Sequence, residues 1–386
     1  MRNLTALLGG GGGGGGDNTT SSSGISLAKD GYIITTSQDV IMPANLTVKV
    51  IAIGAGGSGG AYAGTSFSAT GGGAGGCCIK TFNVSQNEIL SISIGAGSSQ
   101  YAYGGQHGGA AQTPLASGVD GGATTVTNGD GSIVLTANGG SGGNAATASG
   151  TIAGGAGGTA TGGDFNYTGG RGGTITDASL AIRSVTGGGA VNFFGSNDCN
   201  GGDITVDTTV YYNATGGGSP FSSGSSITTD GAMVNQTITG GGGFSAPADN
   251  SVTGGSSFTV NIGIPHASAF STSFLTSATP NSTLTIGGGV QGYVNTGSNI
   301  TGGFFAGAGA SIGSSYTRGI DGGPFSGGGG VCCYGNQYAV RGTGGLYGGG
   351  AGACGSNAYS SNSTQYYAGN TGGGAGAVFI LIEKVL

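Results

Sequence analysis

Charged residues are scarce in this chain of 386 residues, since Asp, Glu, Lys and Arg together make up only 6% of it. The sequence has no Trp and only 4 Lys, 2 Glu and 14 Leu, against 45 Val plus Ile. Because strong helix formers are few and β-branched residues are common, this composition predicts an all-β protein with essentially no α-helix. The nine basic residues are scattered singly and the net charge is −6, so we expect no nucleic-acid binding.

Long apolar runs are also missing. No stretch approaches the roughly 20 apolar residues of a membrane-spanning helix, and residues 1–8 are too short for the apolar region of a signal peptide. We therefore expect a soluble, uncleaved chain. Eight consecutive glycines follow at residues 9–16, which indicates a docking peptide on a flexible tether. Its apolar contacts would be Leu4, Leu7 and Leu8, and a disordered tail is the alternative interpretation.

Groups that carry catalysis or bind metals are few. Neither of the two histidines has a Cys or His at ligand spacing, and the six cysteines include no CxxC motif. Cys77 and Cys78 should not bond to each other, because neighbours on an extended chain point to opposite faces. We therefore expect small buried thiols, no metal, no cofactor and no catalytic residue. Turn formation explains the aspartates that precede glycine: Asp120, Asp130, Asp230 and Asp321.

One motif resembles a dinucleotide-binding fingerprint. Gly54, Gly56 and Gly59 follow a strand with GxGxxG spacing, which in nucleotide-binding proteins places a pyrophosphate at a helix N-terminus. The residues that follow contain no credible helix, and the first acidic residue after the motif is Glu88. We therefore expect that this motif does not bind a dinucleotide.

Glycine dominates the composition, with 96 of the 386 residues. A Gly-Gly-x-Gly-Gly pattern recurs at residues 56–60, 72–76, 139–143, 154–158 and 169–173. Glycine at i and i+3 lays a stripe along a left-handed helix with three residues per turn, and such helices can pack through their backbones. We expect a bundle of polyglycine-II helices that buries residues such as Gly155, Gly157 and Gly170. A flexible linker is the alternative interpretation.

The apolar runs at residues 46–53 and 378–385 predict strands of one sheet, because each is too apolar for solvent and lacks local partners. This pairing predicts three regions. Residues 1–16 form the docking peptide and tether. Residues 17–98 and 376–386 form a β-domain closed by the C-terminal strand. Residues 99–375 form the polyglycine-II and hairpin region, with exposed loops.

Aromatic residues alternate with glycine clusters, and the chain has 15 Tyr and 14 Phe. Doublets such as residues 193–194 either plug the ends of the bundle or stand out on loops. The Tyr, Asn and Ser mixtures at residues 334–341 and 356–367 are more typical of recognition loops, in which Tyr makes rigid contacts at low entropy cost. The candidate receptor-binding residues are Tyr334, Tyr338, Tyr359, Tyr366 and Tyr367.

The chain resembles the glycine-rich tail-fibre and tip-adhesin proteins of tailed bacteriophages. The resemblance covers the first 145 residues and the last 15, and it extends to the middle only in style. It rests on the strand at residues 48–53 running into Gly-Ala-Gly-Gly-Ser-Gly-Gly, on residues 71–84 and 89–97, on residues 121–125 with 135–140, and on residues 372–382. The resemblance implies a β-domain that carries polyglycine-II helices and exposed loops that bind host surface receptors.

The peptide at residues 1–8 is not what this resemblance implies for a tip adhesin, and it suggests direct attachment to the virion. We therefore expect a non-enzymatic virion appendage, made in the host cytoplasm. Its partners would be other virion or tail proteins and a host saccharide or outer-membrane protein, and the sequence leaves monomer and homotrimer open. The alternatives are a purely structural glycine-rich virion or cell-surface protein, including ice-binding types, and an enzyme.

Overall fold

The computed structural model describes most of the chain in separate stretches. They are residues 22–24, 31–63, 68–99, 101–104, 106–107, 110–111, 115–146, 150–177, 183–195, 199–206, 212–229, 237–238, 241, 307–313, 317–319, 321–333, 339–340, 342–356, 366–369 and 372–386.

Every regular element in these stretches is a β-strand, which confirms the predicted all-β class. The first half contains β1 (Ser22–Gly24), β2 (Gly31–Ile34), β3 (Gln38–Ile41), β4 (Leu46–Ile53), β5 (Ala61–Ala63), β6 (Ser68–Ala69), β7 (Cys77–Val84), β8 (Ile89–Ser93), β9 (Tyr101–Gly104), β10 (Gln106–His107), β11 (Ala110–Ala111), β12 (Leu115–Ala116), β13 (Thr124–Asn128), β14 (Val134–Ala137), β15 (Ala145–Ala146), β16 (Gly150–Ile152), β17 (Ala160–Thr161) and β18 (Phe165–Tyr167).

The second half contains β19 (Ile175–Asp177), β20 (Arg183–Val185), β21 (Ile204–Val206), β22 (Tyr212–Ala214), β23 (Ile227–Thr229), β24 (Thr237–Ile238), β25 (Ser311–Gly313), β26 (Thr317–Arg318), β27 (Val331–Cys333), β28 (Ala339–Val340), β29 (Cys354–Ser356), β30 (Tyr366–Gly369) and β31 (Ala377–Val385). None of the described residues forms a helix with the length and apolar character needed to span a bilayer.

Two larger sheets pack face to face as a sandwich. Sheet I has the order β1-β3-β8-β13-β14-β17, and sheet II has the order β18-β7-β4-β31-β2. Alternating residues of their strands fill one core, in which Val48 and Val50 of β4 meet Leu90 of β8 and Leu135 of β14, all with no exposed surface. The period of two along each strand therefore separates the core face from the outer face.

The C-terminal strand lies inside sheet II. Strand β31 pairs antiparallel with β4 along its length, from Ala377 opposite Ile53 to Val385 opposite Leu46, and its other edge pairs with β2. The predicted pairing of the two apolar runs is therefore confirmed. The predicted closure is not observed among the described strands, because sheet II remains open, with β18 and β2 at its edges.

Strands β13, β14, β17 and β18 also belong to these two sheets, although their residues fall within the region 99–375. The three-region division itself stays a prediction.

Three smaller sheets are built from short strands that adjoin the glycine segments. Sheet III has the order β12-β5-β29-β27-β25, sheet IV β15-β6-β20-β22-β24, and sheet V β16-β19-β21-β23. An in-register row of isoleucines crosses sheet V and packs against sheet IV: Ile152, Ile175, Ile204 and Ile227. These small apolar layers anchor the glycine segments through side chains outside the sandwich core.

The glycine segments between the strands bond to one another with a period of three residues. Gly54, Gly57 and Gly60 donate their N–H groups to the carbonyls of residues 76, 73 and 70, each at 2.9 Å. The next residues, Ala55 and Ser58, donate to a different segment, at the carbonyls of residues 122 and 119, each at 3.0 Å. A helix with three residues per turn produces this pattern, because every third N–H faces the same neighbour.

The sign of φ decides the hand of these helices. No glycine in residues 54–60, 70–76 or 138–144 has a positive φ, so the segments have the left-handed extended form and not its mirror image. The described residues thus contain the predicted polyglycine-II packing in place of a flexible linker.

Threonine hydroxyls complete the bonding where strands enter the bundle. The Oγ1 of Thr186 donates to the carbonyl of Gly173 at 2.7 Å and accepts the N–H of Gly71 at 2.9 Å. Thr215 occupies the same position one strand further along, donating to Gly202 and accepting from Gly187. Both threonines are fully buried, so their hydroxyls satisfy backbone groups that would otherwise be orphaned at a cost of about 1–3 kcal/mol each.

Close backbone approach makes side chains intolerable at the predicted glycines. Gly155 and Gly170 are buried, whereas Gly157 is partly exposed, so the expected burial holds for two of the three. A Cβ built on Gly155 would overlap the carbonyl oxygen of Ser141, and one on Gly157 would overlap that of Gly169. Both overlaps are with backbone, which cannot swing aside as a side chain can.

Gly155→Ala should therefore destabilise the protein by about 1–3 kcal/mol through overpacking. The matched control is Gly129→Ala in the β13–β14 turn, where a Cβ would meet nothing within 4 Å, so its effect should stay within about 0.5 kcal/mol. Urea unfolding followed by circular dichroism measures both. Equal stability of the two variants would contradict the close packing of the segments.

Removal of residues 377–386 should abolish cooperative unfolding of the sandwich, because β31 supplies partners to both β4 and β2. The control removes only Leu386, which is 56% exposed and should melt like the full chain. Differential scanning calorimetry of the two truncated proteins measures whether each keeps the cooperative melting transition. A truncation of residues 377–386 that keeps the full melting transition would show that the sandwich does not depend on β31.

Candidate functional site

Four short strands from separate parts of the chain form one further sheet, which we name the loop sheet. Its order is β26-β28-β30-β9. Strands β26, β28 and β30 are parallel, and β9 completes the sheet antiparallel to β30. Strand β28 lies within the predicted recognition loop at residues 334–341, and β30 begins with the last two residues of the predicted loop at residues 356–367. The fold therefore brings backbone from both loops into one sheet.

Two of the predicted receptor-binding tyrosines begin β30. Tyr366 stands opposite Gly104 in the ladder, and Tyr367 stands opposite Tyr103. Tyr101 stands opposite Gly369 at the other end of the same pair. The ladder therefore aligns one predicted tyrosine, Tyr367, directly with a tyrosine from a distant part of the chain.

The remaining predicted site residues lie outside the described residues. These are Tyr334, Tyr338 and Tyr359 of the loops, and Leu4, Leu7 and Leu8 of the attachment peptide. Sequence reasoning missed the contribution of β9 and of Thr317 and Arg318 in β26. The alternation of Tyr101 and Tyr103 is a signal for a strand, but nothing local shows that this strand pairs with β30.

The loop sheet lies against sheet III, since β30 contacts β5 and β29, and β28 contacts β27. Sheet III is packed on both faces. On one, Tyr62 and Cys332 join a cluster with residues of sheet IV, and the tyrosine hydroxyl and the Sγ of Cys332 are 3.4 Å apart. The opposite cluster consists of Ala61, Val331, Cys333 and Cys354, all fully buried. The loop sheet thus lies against a layer whose clustered residues are fully buried.

All six cysteines are buried thiols that form no disulfide bond, as the sequence predicts. Burial raises the pKa of Cys78 to about 11. Burial also raises the pKa of Cys77 well above its ordinary value, and the neighbouring Cys78 adds to the effect. The thiolate is the nucleophilic form, so neither group is activated for nucleophilic chemistry at neutral pH.

No group of three His, Cys, Asp or Glu side chains that could hold a metal occurs among the described residues. The dinucleotide-like motif is built into the bundle. The N–H groups of Gly54, Gly56 and Gly57 donate to carbonyls of other glycine segments, so they are not available to a pyrophosphate. This finding agrees with the expectation from the sequence.

An aromatic cluster joins the bundle to the outer face of sheet II. Phe325 lies 5.3 Å from Tyr347 and 5.8 Å from Phe379 of β31, measured between ring centroids. Phe325 and Tyr347 both have positive φ, 68° and 66°, which bulky residues rarely adopt. Phe193 packs on Phe325 with centroids 5.0 Å apart, so one member of the Phe193–Phe194 doublet is a plug. Phe194 is 58% exposed.

Comparison with known proteins gave no match, either to a protein-family model or to a curated protein sequence. The resemblance to phage fibres and adhesins therefore stays a proposal.

The buried thiols predict a loss of stability at alkaline pH. A thiol whose pKa is higher in the folded state stabilises the fold fully below its unfolded pKa, and this contribution is lost as pH rises through the folded pKa. For Cys78 the window runs from 9.0 to about 11. Between pH 8 and 11 the free energy of unfolding should therefore fall on the order of 2 kcal/mol more in the parent than in Cys78→Ala. Urea unfolding of both proteins at pH 8 and pH 11 measures this difference. An equal fall in the free energy of unfolding of the two proteins would contradict the prediction.

Proposed function

We propose that the protein is a non-enzymatic virion appendage, a tail fibre or adhesin, that binds a host-cell surface receptor through loops at residues 334–341 and 356–367. The observation that carries the proposal is the loop sheet. In it, β28 of the first loop pairs with Ala368 and Gly369, which directly follow the second loop, and the sheet lies against sheet III. Variable, exposed segments held by a rigid scaffold are the usual arrangement of binding proteins.

The rigidity of the scaffold supports this proposal. Polyglycine-II segments bonded at every turn leave little freedom to the points at which the loops begin and end. Pre-organised loops lose less entropy on binding, which leaves more of the contact energy as affinity. A flexible glycine linker would not give this advantage.

The composition of the loops indicates the kind of receptor. Tyr, Asn and Ser supply flat apolar rings together with neutral hydrogen-bonding groups, which suit a saccharide or the loops of an outer-membrane protein. Tyr366 and Tyr367 lie at a defined place in the loop sheet. Tyr334, Tyr338 and Tyr359 are proposed from the sequence.

Attachment to the particle is assigned to the peptide at residues 1–8, with Leu4, Leu7 and Leu8 as its contacts. A glycine tether lets this peptide dock on another virion protein without constraining the body of the protein. Monomer and homotrimer are both compatible with the proposal. A purely structural glycine-rich protein is the alternative, and it differs by having no receptor contact in the loops.

Replacement of Tyr359, Tyr366 and Tyr367 by Ala should reduce binding to host cells at least tenfold while leaving the melting temperature within a few degrees of the parent. The cost is expected because buried aromatic anchors dominate interface energies. Binding of labelled protein to candidate host cells is the measurement. The control is Phe194→Ala, which removes an aromatic ring that is 58% exposed outside the loop sheet.

Deletion of residues 1–8 should have the opposite effect to the tyrosine replacements. The protein should no longer be incorporated into particles, but it should still bind cells. Immunoblots of purified particles measure the incorporation.

If the tyrosine variant binds cells as well as the parent, the loops are not the receptor site and the purely structural alternative gains support.

A further inference from the structure

The outer face of sheet II carries an apolar strip that the fold only partly covers. It is formed by Ile33, Ile51, Ile79, Phe165 and Leu381, one from each strand of the sheet. Phe165 stands opposite Ile79, and Ile79 stands opposite Ile51. Phe379 of β31 stands opposite Ile51 on one side and opposite Ile33 on the other, which completes the row.

The exposure of the strip sets it apart from an ordinary sheet face. Phe165 is 57% exposed, and the other four residues are partly buried against the aromatic cluster of Phe325 and Tyr347. On the side away from that cluster, the ion pair of Lys49 and Glu383 marks the limit of the apolar surface. Contiguous apolar residues exposed on a soluble surface commonly mark an interaction site.

Strand β1 fixes the point at which the N-terminal part of the chain joins the fold. Strand β1 forms the edge of sheet I beside β3, and a short turn joins β3 to β2, the edge strand of sheet II that carries Ile33. Ser22 is therefore about one sheet spacing, ~10 Å, and one strand spacing, ~5 Å, from the backbone of β2. The side chains of the strip point away from sheet I, and Phe165 lies at the far edge of sheet II, on β18.

Residues 9–21 connect Ser22 to the peptide at residues 1–8. In coil form, a glycine-rich segment of this length would have a root-mean-square span of about 20 Å, and its full extension would be about 45 Å. The tether is thus long enough to reach Ile33 and every residue of the strip. Its length also gives the peptide an effective concentration on the order of millimolar at the strip.

We propose that in the free protein the peptide at residues 1–8 docks on the apolar strip of its own chain, with Leu4, Leu7 and Leu8 as the buried residues. Leucines at i, i+3 and i+4 can present one apolar side. Burial of leucine on partly buried isoleucine and exposed phenylalanine is favourable by about 25 cal/mol per Å² of apolar surface removed from water. The contact concerns the isolated protein and does not depend on the proposed attachment to a virion.

Cross-linking between two introduced thiols tests this contact. Thr81 is exposed on the outer face of sheet II next to Ile79, so the variant Ala6→Cys with Thr81→Cys places one thiol in the peptide and one beside the strip. The cross-linker is a short bis-maleimide, which reacts with accessible thiols. It should join the two introduced cysteines and leave the six native cysteines unmodified, because these are buried. We expect a product with the mobility of a monomer whose yield does not change with protein concentration.

Two matched controls separate docking from random encounter along the tether. Ser91→Cys, on the exposed face of sheet I, is also within reach of Ala6→Cys but lies away from the strip, so its yield should be at least fivefold lower. Adding Leu4→Ser, Leu7→Ser and Leu8→Ser to the Thr81→Cys pair should lower its yield by a similar factor, whereas Thr5→Ser should not.

Three outcomes would overturn the proposal. Equal yields at positions 81 and 91 would mean that the peptide does not favour the strip. A yield unaffected by the leucine replacements would mean that these side chains are not buried there. A product with the mobility of a dimer would mean that the strip receives a peptide from a second copy. Particle incorporation is measured separately, so failure of this contact and failure of virion attachment remain distinguishable.

Discussion

The structure depends on hydrogen bonding between backbones that have no side chains to separate them. Each glycine segment donates every third N–H to one neighbour and the next N–H to another. This arrangement requires carbonyl groups to approach where a Cβ would otherwise stand, as at Gly155 and Gly157. Absence of a side chain is therefore a packing requirement along the whole bundle, and the high glycine content follows from it.

Such a bundle is not stable by itself. Ordering a residue costs about 1–2 kcal/mol of backbone entropy, and a hydrogen bond returns about 1 kcal/mol net. Apolar packing has to make up the difference at the ends of the segments. The sandwich core around Val48 and Leu90 does so on one side, and the small layers, such as the isoleucine row of sheet V, do so on the other. Phe325, Tyr347 and Phe379 join the bundle to the sandwich.

This division of roles suits a binding protein. The segments and their anchors leave the connections between short strands as the places where sequence can change without disturbing the backbone contacts. The loop sheet is assembled from such connections and rests on sheet III. This arrangement is compatible with the proposed receptor binding at the loop sheet.

The sequence by itself determined the all-β class, the three-residue glycine period and the pairing of the terminal strands, because composition and local periodicity carry these features. Only the tertiary structure decided which segment lies beside which. The segments have nearly the same chemistry, so neighbour choice depends on distant side chains at their ends. The pairing of Tyr367 with Tyr103 in the loop sheet arises in the same way. The open edge of sheet II and the partly covered strip also depend on contacts between remote strands, which no local pattern encodes.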